Sequence, residues 1–234
     1  MNKLALITGT GSGIGKSLAK LLLNKGYKVV GYSRTNNINH PSFQFIQIDL
    51  SIIDNVRNIS FPDNEDGNVV LINNAATIGE ILPFNKKKEE NIISEYNLNI
   101  ITPSILSNKF INTYHQKKLI LNIGSGAAKK AIPSWSTYCS TKAAIDRLSD
   151  TIAEEDILKL KVFSVHPGIV DTDMQRRIRN TKEVDFPLKN QFVEYYETDQ
   201  LECSSIVARK IHIIIQNPEK FNENILSIRN IELS

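Results

Sequence analysis

The chain is 234 residues long and 41% hydrophobic, enough for one large α/β core and short for two. Its 28 Lys+Arg and 25 Asp+Glu leave a net charge of +3, scattered rather than massed into an arm, so no nucleic-acid partner is expected. Cys139 and Cys203 stand in no CxxC or metal-ligand spacing, which excludes a disulfide framework and a zinc site, suits a reducing cytoplasm and leaves no metal expected.

The first apolar run, residues 4–7, is too short for a signal core or a membrane span, so a soluble, cytoplasmic chain with no membrane partner is expected. It reads as a buried strand, 4–8, that runs straight into Thr8-Gly9-Thr10-Gly11-Ser12-Gly13-Ile14-Gly15 and a helix over 14–24. Glycines there allow a tight turn and close backbone approach at a helix N-terminus, where a dinucleotide pyrophosphate binds; Gly9, Ser12, Gly13, Ile14 and Gly15 are the expected contacts. The second strand, 28–32, ends in Gly31-Tyr32-Ser33-Arg34. An NAD site usually carries an acid here for the ribose diol. The Arg34 guanidinium instead suits a 2′-phosphate, with a hydroxyl contact from Ser33, so NADPH is the expected cofactor.

Strands over 43–48 and 69–73 end in Asp49-Leu50 and Asn73-Asn74-Ala75-Ala76. Asp49 could accept from an adenine amino group, and small Ala75 and Ala76 would let backbone approach a cofactor. Asn73 and Asn74 read equally as ligands or turn formers. The short runs Lys86-Lys87-Lys88 and Lys129-Lys130 read as solvated loop or helix ends with no functional role. A helix is expected over 91–114, a strand over 119–123, a helix over 136–155 and a strand over 161–166. A polar excursion follows, 172–200, then a helix over 204–216 ending before Asn217-Pro218 and a last strand over 225–228. The pattern predicts one doubly wound α/β Rossmann domain spanning residues 1–234, its seven-stranded parallel sheet covered by helices on both faces, with 172–200 as a substrate lid.

Tyr138 and Lys142 are four apart on the helix expected over 136–155 and share a face. An ammonium near a phenol lowers its pKa and makes it a better proton donor to a developing alkoxide. Ser125, at the end of the fifth expected strand, can bring a hydroxyl to the same carbonyl oxygen. Asn99, mid-helix in Leu98-Asn99-Ile100, needs a partner if buried and could hold a water that feeds protons to the lysine. Trp135, Met174 and the aromatics Phe186, Phe192, Tyr195 and Tyr196 are candidates for an apolar substrate pocket or for plain core. Cys139 reads as a packing residue.

These motifs occur in one order along most of the chain: Thr8–Gly15, Asn73–Ala76, Asn99, Ser125, Tyr138-Cys139-Ser140-Thr141-Lys142 and Pro167-Gly168. In that order they resemble the short-chain dehydrogenase/reductase family. The resemblance implies that Ser125 orients a substrate carbonyl, Tyr138 is the acid/base, Lys142 binds nicotinamide ribose and tunes Tyr138, and Asn99 serves the proton relay. It also implies that Ile169, Val170 and Thr172 contact the nicotinamide carboxamide. Ala76 departs from the usual glycine of the family, which touches only fine cofactor packing.

The stretches 123–129, 135–138 and 167–175 further resemble the branch of sepiapterin reductases and bacterial benzil reductases. That likeness implies NADPH-dependent reduction of one ketone of a small 1,2-dicarbonyl, benzil to (S)-benzoin being the model reaction. It implies, too, a homodimer or homotetramer through helices 91–114 and 136–155. The alternatives are a sepiapterin-type or other ketone/alcohol oxidoreductase, including an NAD-linked alcohol dehydrogenase, and an NADPH-binding regulatory protein without turnover.

Overall fold

The computed structural model describes residues 3–64 and 66–233. Its seven strands are β1 (Leu4–Thr8), β2 (Lys28–Ser33), β3 (Phe43–Gln47), β4 (Val69–Asn73), β5 (Lys118–Ile123), β6 (Leu160–His166) and β7 (Ile225–Ser227). All pair in parallel, in the order β3-β2-β1-β4-β5-β6-β7. The order reverses between β1 and β4, and in an open parallel sheet that switch point opens a crevice at the carboxyl ends of the strands. Central strands are apolar throughout because both faces are covered: Leu-Ala-Leu-Ile of β1 and Val-Val-Leu-Ile of β4 are fully buried. Edge strand β3 is partly exposed along its length instead.

The helices are α1 (Gly13–Asn24), α2 (Ile53–Arg57), α3 (Glu89–Tyr96), α4 (Thr102–Thr113), α5 (Ser136–Glu154), α6 (Asp173–Arg179), α7 (Lys189–Glu197) and α8 (Ser204–Gln216). One face of the sheet packs on Leu18, Ala19 and Leu22 of α1 with Val207, Ala208 and Ile211 of α8. The other packs on Leu106 and Phe110 of α4, with Ile152 and Ala153 of α5 beside them.

Three expectations need correction. The helix expected over 91–114 is α3 and α4 joined by a π-helical turn, Asn97–Ile101. Pro103 is the cause: it has no N–H for the carbonyl of Asn99 four residues back, and its ring crowds that carbonyl, so the ladder widens there. The excursion 172–200 carries α6 and α7, whose short apolar faces fold onto Trp135 rather than onto the sheet. Lys87 is not solvated. Its side chain is fully buried and Nζ lies 2.8 Å from Glu95 Oε2 and 2.7 Å from Thr137 Oγ1. That pairing supplies the hydrogen bonds a buried ammonium requires.

Candidate active site

The carboxyl ends of the strands border a cleft of 1910 Å³ that takes in the glycine loop, the end of β2, the loop after β4, Ser125, Tyr138, Lys142 and parts of the segment 172–200. Gly9 and Gly13 hold φ of +75° and +55°, which side-chain-bearing residues resist. A Cβ on Gly9 would meet Asn74 Nδ2 at 2.8 Å, and one on Gly15 would meet the carbonyl oxygen of Gly9 at 2.3 Å. Of the expected cofactor positions, Gly13 and Gly15 alone do not border the cleft; Gly15 is buried in the packing of the loop onto the helix. Helix α1 has no acidic residue in its first turn, and Ser12 makes no side-chain cap. Its first N–H groups therefore face the cleft with the positive end of the helix dipole, a donor set that fits a pyrophosphate.

Arg34 is exposed at the end of β2 and borders the cleft beside Asp49. Hydrogen bonds from the Ser51 hydroxyl and N–H hold the Asp49 carboxyl below its usual value, with a smaller pull from Arg34. Ser33 turns inward and donates its proton to the Thr35 carbonyl at 2.5 Å. Its expected hydroxyl contact would need that bond released, so Arg34 is the free donor at this spot. The two asparagines at the end of β4 resolve as ties: Asn73 Nδ2 donates to Asn122 Oδ1 at 2.8 Å, and Asn74 Nδ2 to the Thr8 carbonyl at 2.9 Å, while Asn74 also borders the cleft.

Ser125 caps the short 3-10 turn Gly126–Lys129, its Oγ accepting from Ala127 N at 3.1 Å. The cap engages a lone pair and leaves the hydroxyl proton free to point into the cleft. Tyr138 is buried, and burial raises its phenol above the ordinary value while the neighbouring Ser125 hydroxyl draws it back down. This reverses the expected lowering by Lys142. The Lys142 ammonium lies 5.7 Å from the Tyr138 ring centroid and donates to the Ile123 carbonyl at 2.7 Å, and burial lowers its own pKa to about 8.

Asn99 is buried in the π turn and does not border the cleft. Its Nδ2 donates to the Thr77 carbonyl at 2.9 Å and to Thr141 Oγ1 at 3.2 Å, and its Oδ1 accepts from Thr77 N at 2.9 Å. Both amide hydrogens are therefore engaged, and the side chain ties the loop after β4 to α5.

The segment 172–200 is pinned at its base, where Val170 bridges Glu202 and the Asp171 N–H reaches the Glu202 carbonyl at 3.0 Å. Thr172 caps α6 and, with Ile169 and Val170, borders the cleft. Trp135 is 5% exposed, stacks on Phe186 at 5.4 Å and meets the Tyr138 ring edge-on at 5.6 Å. The aromatics the sequence left unranked separate clearly: Phe186 is fully buried core, Phe192 and Tyr195 border the cleft with Trp135 and Met174, and Tyr196 lies outside under Arg179. Among the described residues no group of acidic, histidine or cysteine side chains could hold a metal ion. No helix among them is long and apolar enough to cross a membrane.

The short chain dehydrogenase family profile matches residues 3–183. The chain belongs to the short-chain dehydrogenase/reductase family and is an oxidoreductase of that class. It is 32% identical over 235 residues to a benzil reductase ((S)-benzoin forming) of Bacillus subtilis, covering 95% of this chain and 96% of the other. To the Bacillus cereus enzyme of the same name it is 30% identical over 234 residues, covering 92% and 94%. A solved short-chain dehydrogenase/reductase from Saccharomyces cerevisiae superposes with a TM-score of 0.84 at 25% identity, covering 98% of this chain and 97% of that one.

Proposed function

We propose that this chain is an NADPH-dependent carbonyl reductase that reduces one ketone of a small 1,2-dicarbonyl compound to an α-hydroxy ketone, within a single domain whose segment 172–200 is the substrate lid. The observation that carries the reading is the convergence of Ser125, Tyr138 and Lys142 on one wall of the cleft that also holds the glycine loop. The likeness to two enzymes named benzil reductase supports the substrate class. An exposed Arg34 where an acid would favour NADH supports the phosphate-bearing cofactor.

Bound NADPH would supply the hydride. Ser125, its hydroxyl oriented by the Ala127 N–H, would donate to the substrate oxygen. Tyr138 would donate to the same oxygen and give up its proton as negative charge develops. A phenol raised by burial stays protonated at neutral pH, which suits a proton donor. Lys142, held by the Ile123 carbonyl, would set positive charge beside the phenolate left behind. The helix N-terminus of α1 would hold the pyrophosphate, Arg34 the 2′-phosphate, and Ile169, Val170 and Thr172 the carboxamide side. Trp135, Phe192 and Met174 offer a flat apolar surface suited to an aryl diketone.

The test follows nicotinamide absorbance with benzil, a simple aldehyde and a sepiapterin-like pterin, using NADPH and NADH in parallel. NADPH-driven consumption of benzil is expected, and Arg34→Leu should raise the KM for NADPH about 10–100-fold while leaving that for NADH unchanged. Equal use of the two cofactors by the unaltered chain overturns the Arg34 assignment. Turnover of the pterin or aldehyde without benzil overturns the substrate class.

A further inference from the structure

One buried polar cluster beside this wall has no part in the reaction above. Asp146 lies one helical turn beyond Lys142 on α5, and the two are 6% and 4% exposed. The carboxylate is fixed from β6: Ser164 Oγ donates to Oδ1 at 2.6 Å, and His166 Nε2 lies 2.9 Å from each oxygen. A carboxylate accepts only, so the shared proton sits on Nε2.

The backbone of Gly124 runs through the gap between this cluster and the lysine. A Cβ there would meet Ser164 Oγ at 2.5 Å, His166 Cδ2 at 2.7 Å and Asp146 Oδ1 at 3.0 Å. The preceding carbonyl, of Ile123, is the acceptor of the Lys142 ammonium. The consecutive residues Ile123 and Gly124 thus touch the buried cation and the buried anion respectively. A buried ammonium with one carbonyl partner is costly unless an opposite charge stands near, and a buried carboxylate with three hydrogen-bond contacts is a well-solvated one. Burial lowers the lysine and the Asp146 charge opposes that fall.

Tyr138 on α5 lies beside Lys142, and Arg229 from the C-terminal turn approaches Gly168, two residues after His166, where its Nε would lie 3.1 Å from a Cβ. The Lys87–Glu95 pair meets α5 at Thr137, on the far side of Tyr138. Among the described residues Asp146 is the carboxylate whose charge acts on Lys142.

We propose that Asp146, clamped by Ser164 and His166, is a positioning residue that balances the charge of Lys142 and keeps its ammonium protonated at the pH where the enzyme works. The role rests on the function assigned to Lys142 above. Without the anion the lysine would lose its proton at lower pH, and Gly124 is required so that the charges can approach across bare backbone.

The decisive variants are Asp146→Asn, which removes the charge at nearly constant shape, and Ser164→Ala, which removes one clamp and keeps the charge. Two readouts are followed against pH: kcat/KM for NADPH-driven reduction, and NADPH affinity by nicotinamide fluorescence, which needs no turnover. Asp146→Asn is expected to move the alkaline fall of both curves to lower pH by about one unit, whereas Ser164→Ala leaves it in place. Curves for folded Asp146→Asn that superpose on those of the unaltered chain overturn the proposal. Should that variant not fold, Asp146→Glu carries the test: it must keep the alkaline fall in place, and losing it overturns the proposal. A chain that binds NADPH but reduces none of the carbonyls defeats the proposed function instead, and the affinity curves still decide this one.

Discussion

The two walls of the cleft differ in how their polar groups are held. On the β5–α5 wall the polar groups have fixed partners: Ser125 on Ala127 N and Lys142 on the Ile123 carbonyl, while Asn99 behind the wall ties the loop after β4 to α5. On the lid wall the order comes from aromatic packing of Trp135, Phe186 and Phe192, while Trp135 Nε1, Gln175 Oε1 and Arg179 Nη1 are buried without a partner among the described residues. Catalytic geometry tolerates little displacement, and a strand end and a long helix provide that rigidity. A lid of two short helices can repack around different ligands. Substitutions on the first wall should therefore change rate at near-constant stability, and substitutions on the second should change stability and KM.

After loss of the proton donor itself, the largest effect on the rigid wall is expected for Ser125→Ala, a fall in kcat of about 10²–10³-fold with little change in melting temperature. A comparable fall in stability would dissolve the distinction between the walls. On the lid, Phe186→Ala removes a fully buried ring and should cost about 3–5 kcal/mol in denaturant unfolding, with kcat less affected than KM. A smaller change concerns pH. Lys142 is depressed to about 8 by burial, so its charge is lost as pH rises through that value, and kcat/KM should fall there along a one-proton limb. Since the unfolded chain holds that proton to higher pH, this group alone makes the fold gain stability from about pH 8 upward, opposite in sign to the loss of rate. The smallest effect is expected where the second wall meets the loop after β4: Arg177 of α6 donates to the Gly79 carbonyl at 3.2 Å in an exposed contact, and Arg177→Ala should change KM by about two-fold or less.

The same contrast explains what could be read from the sequence. Strands of the central sheet were legible because burial on both faces writes continuous apolar runs, and the glycine loop because its spacing carries its own geometry. Ser125, Tyr138 and Lys142 could be joined because each stands at a fixed point on a strand end or helix. The lid helices were missed because α6 and α7 span seven and nine residues and fold by contact with the distant Trp135. Lys87 was read as solvated because its partner Glu95, on α3, and Thr137, fifty positions away, are joined to it only by the fold. The π turn carried one usable signal, Pro103 four residues after Asn99, which a helix-period reading passes over. Asp146 and His166 left no motif in the sequence. Their pairing appears only when β6 is laid beside β5 under α5.

The central claim, that Tyr138 donates the proton on a wall that otherwise only binds and orients, is tested most directly by Tyr138→Phe, assayed for benzil reduction and for NADPH affinity side by side. The account predicts a loss of kcat of about 10³-fold or more with NADPH affinity within about two-fold of the unaltered chain. Turnover at an undiminished rate would contradict it.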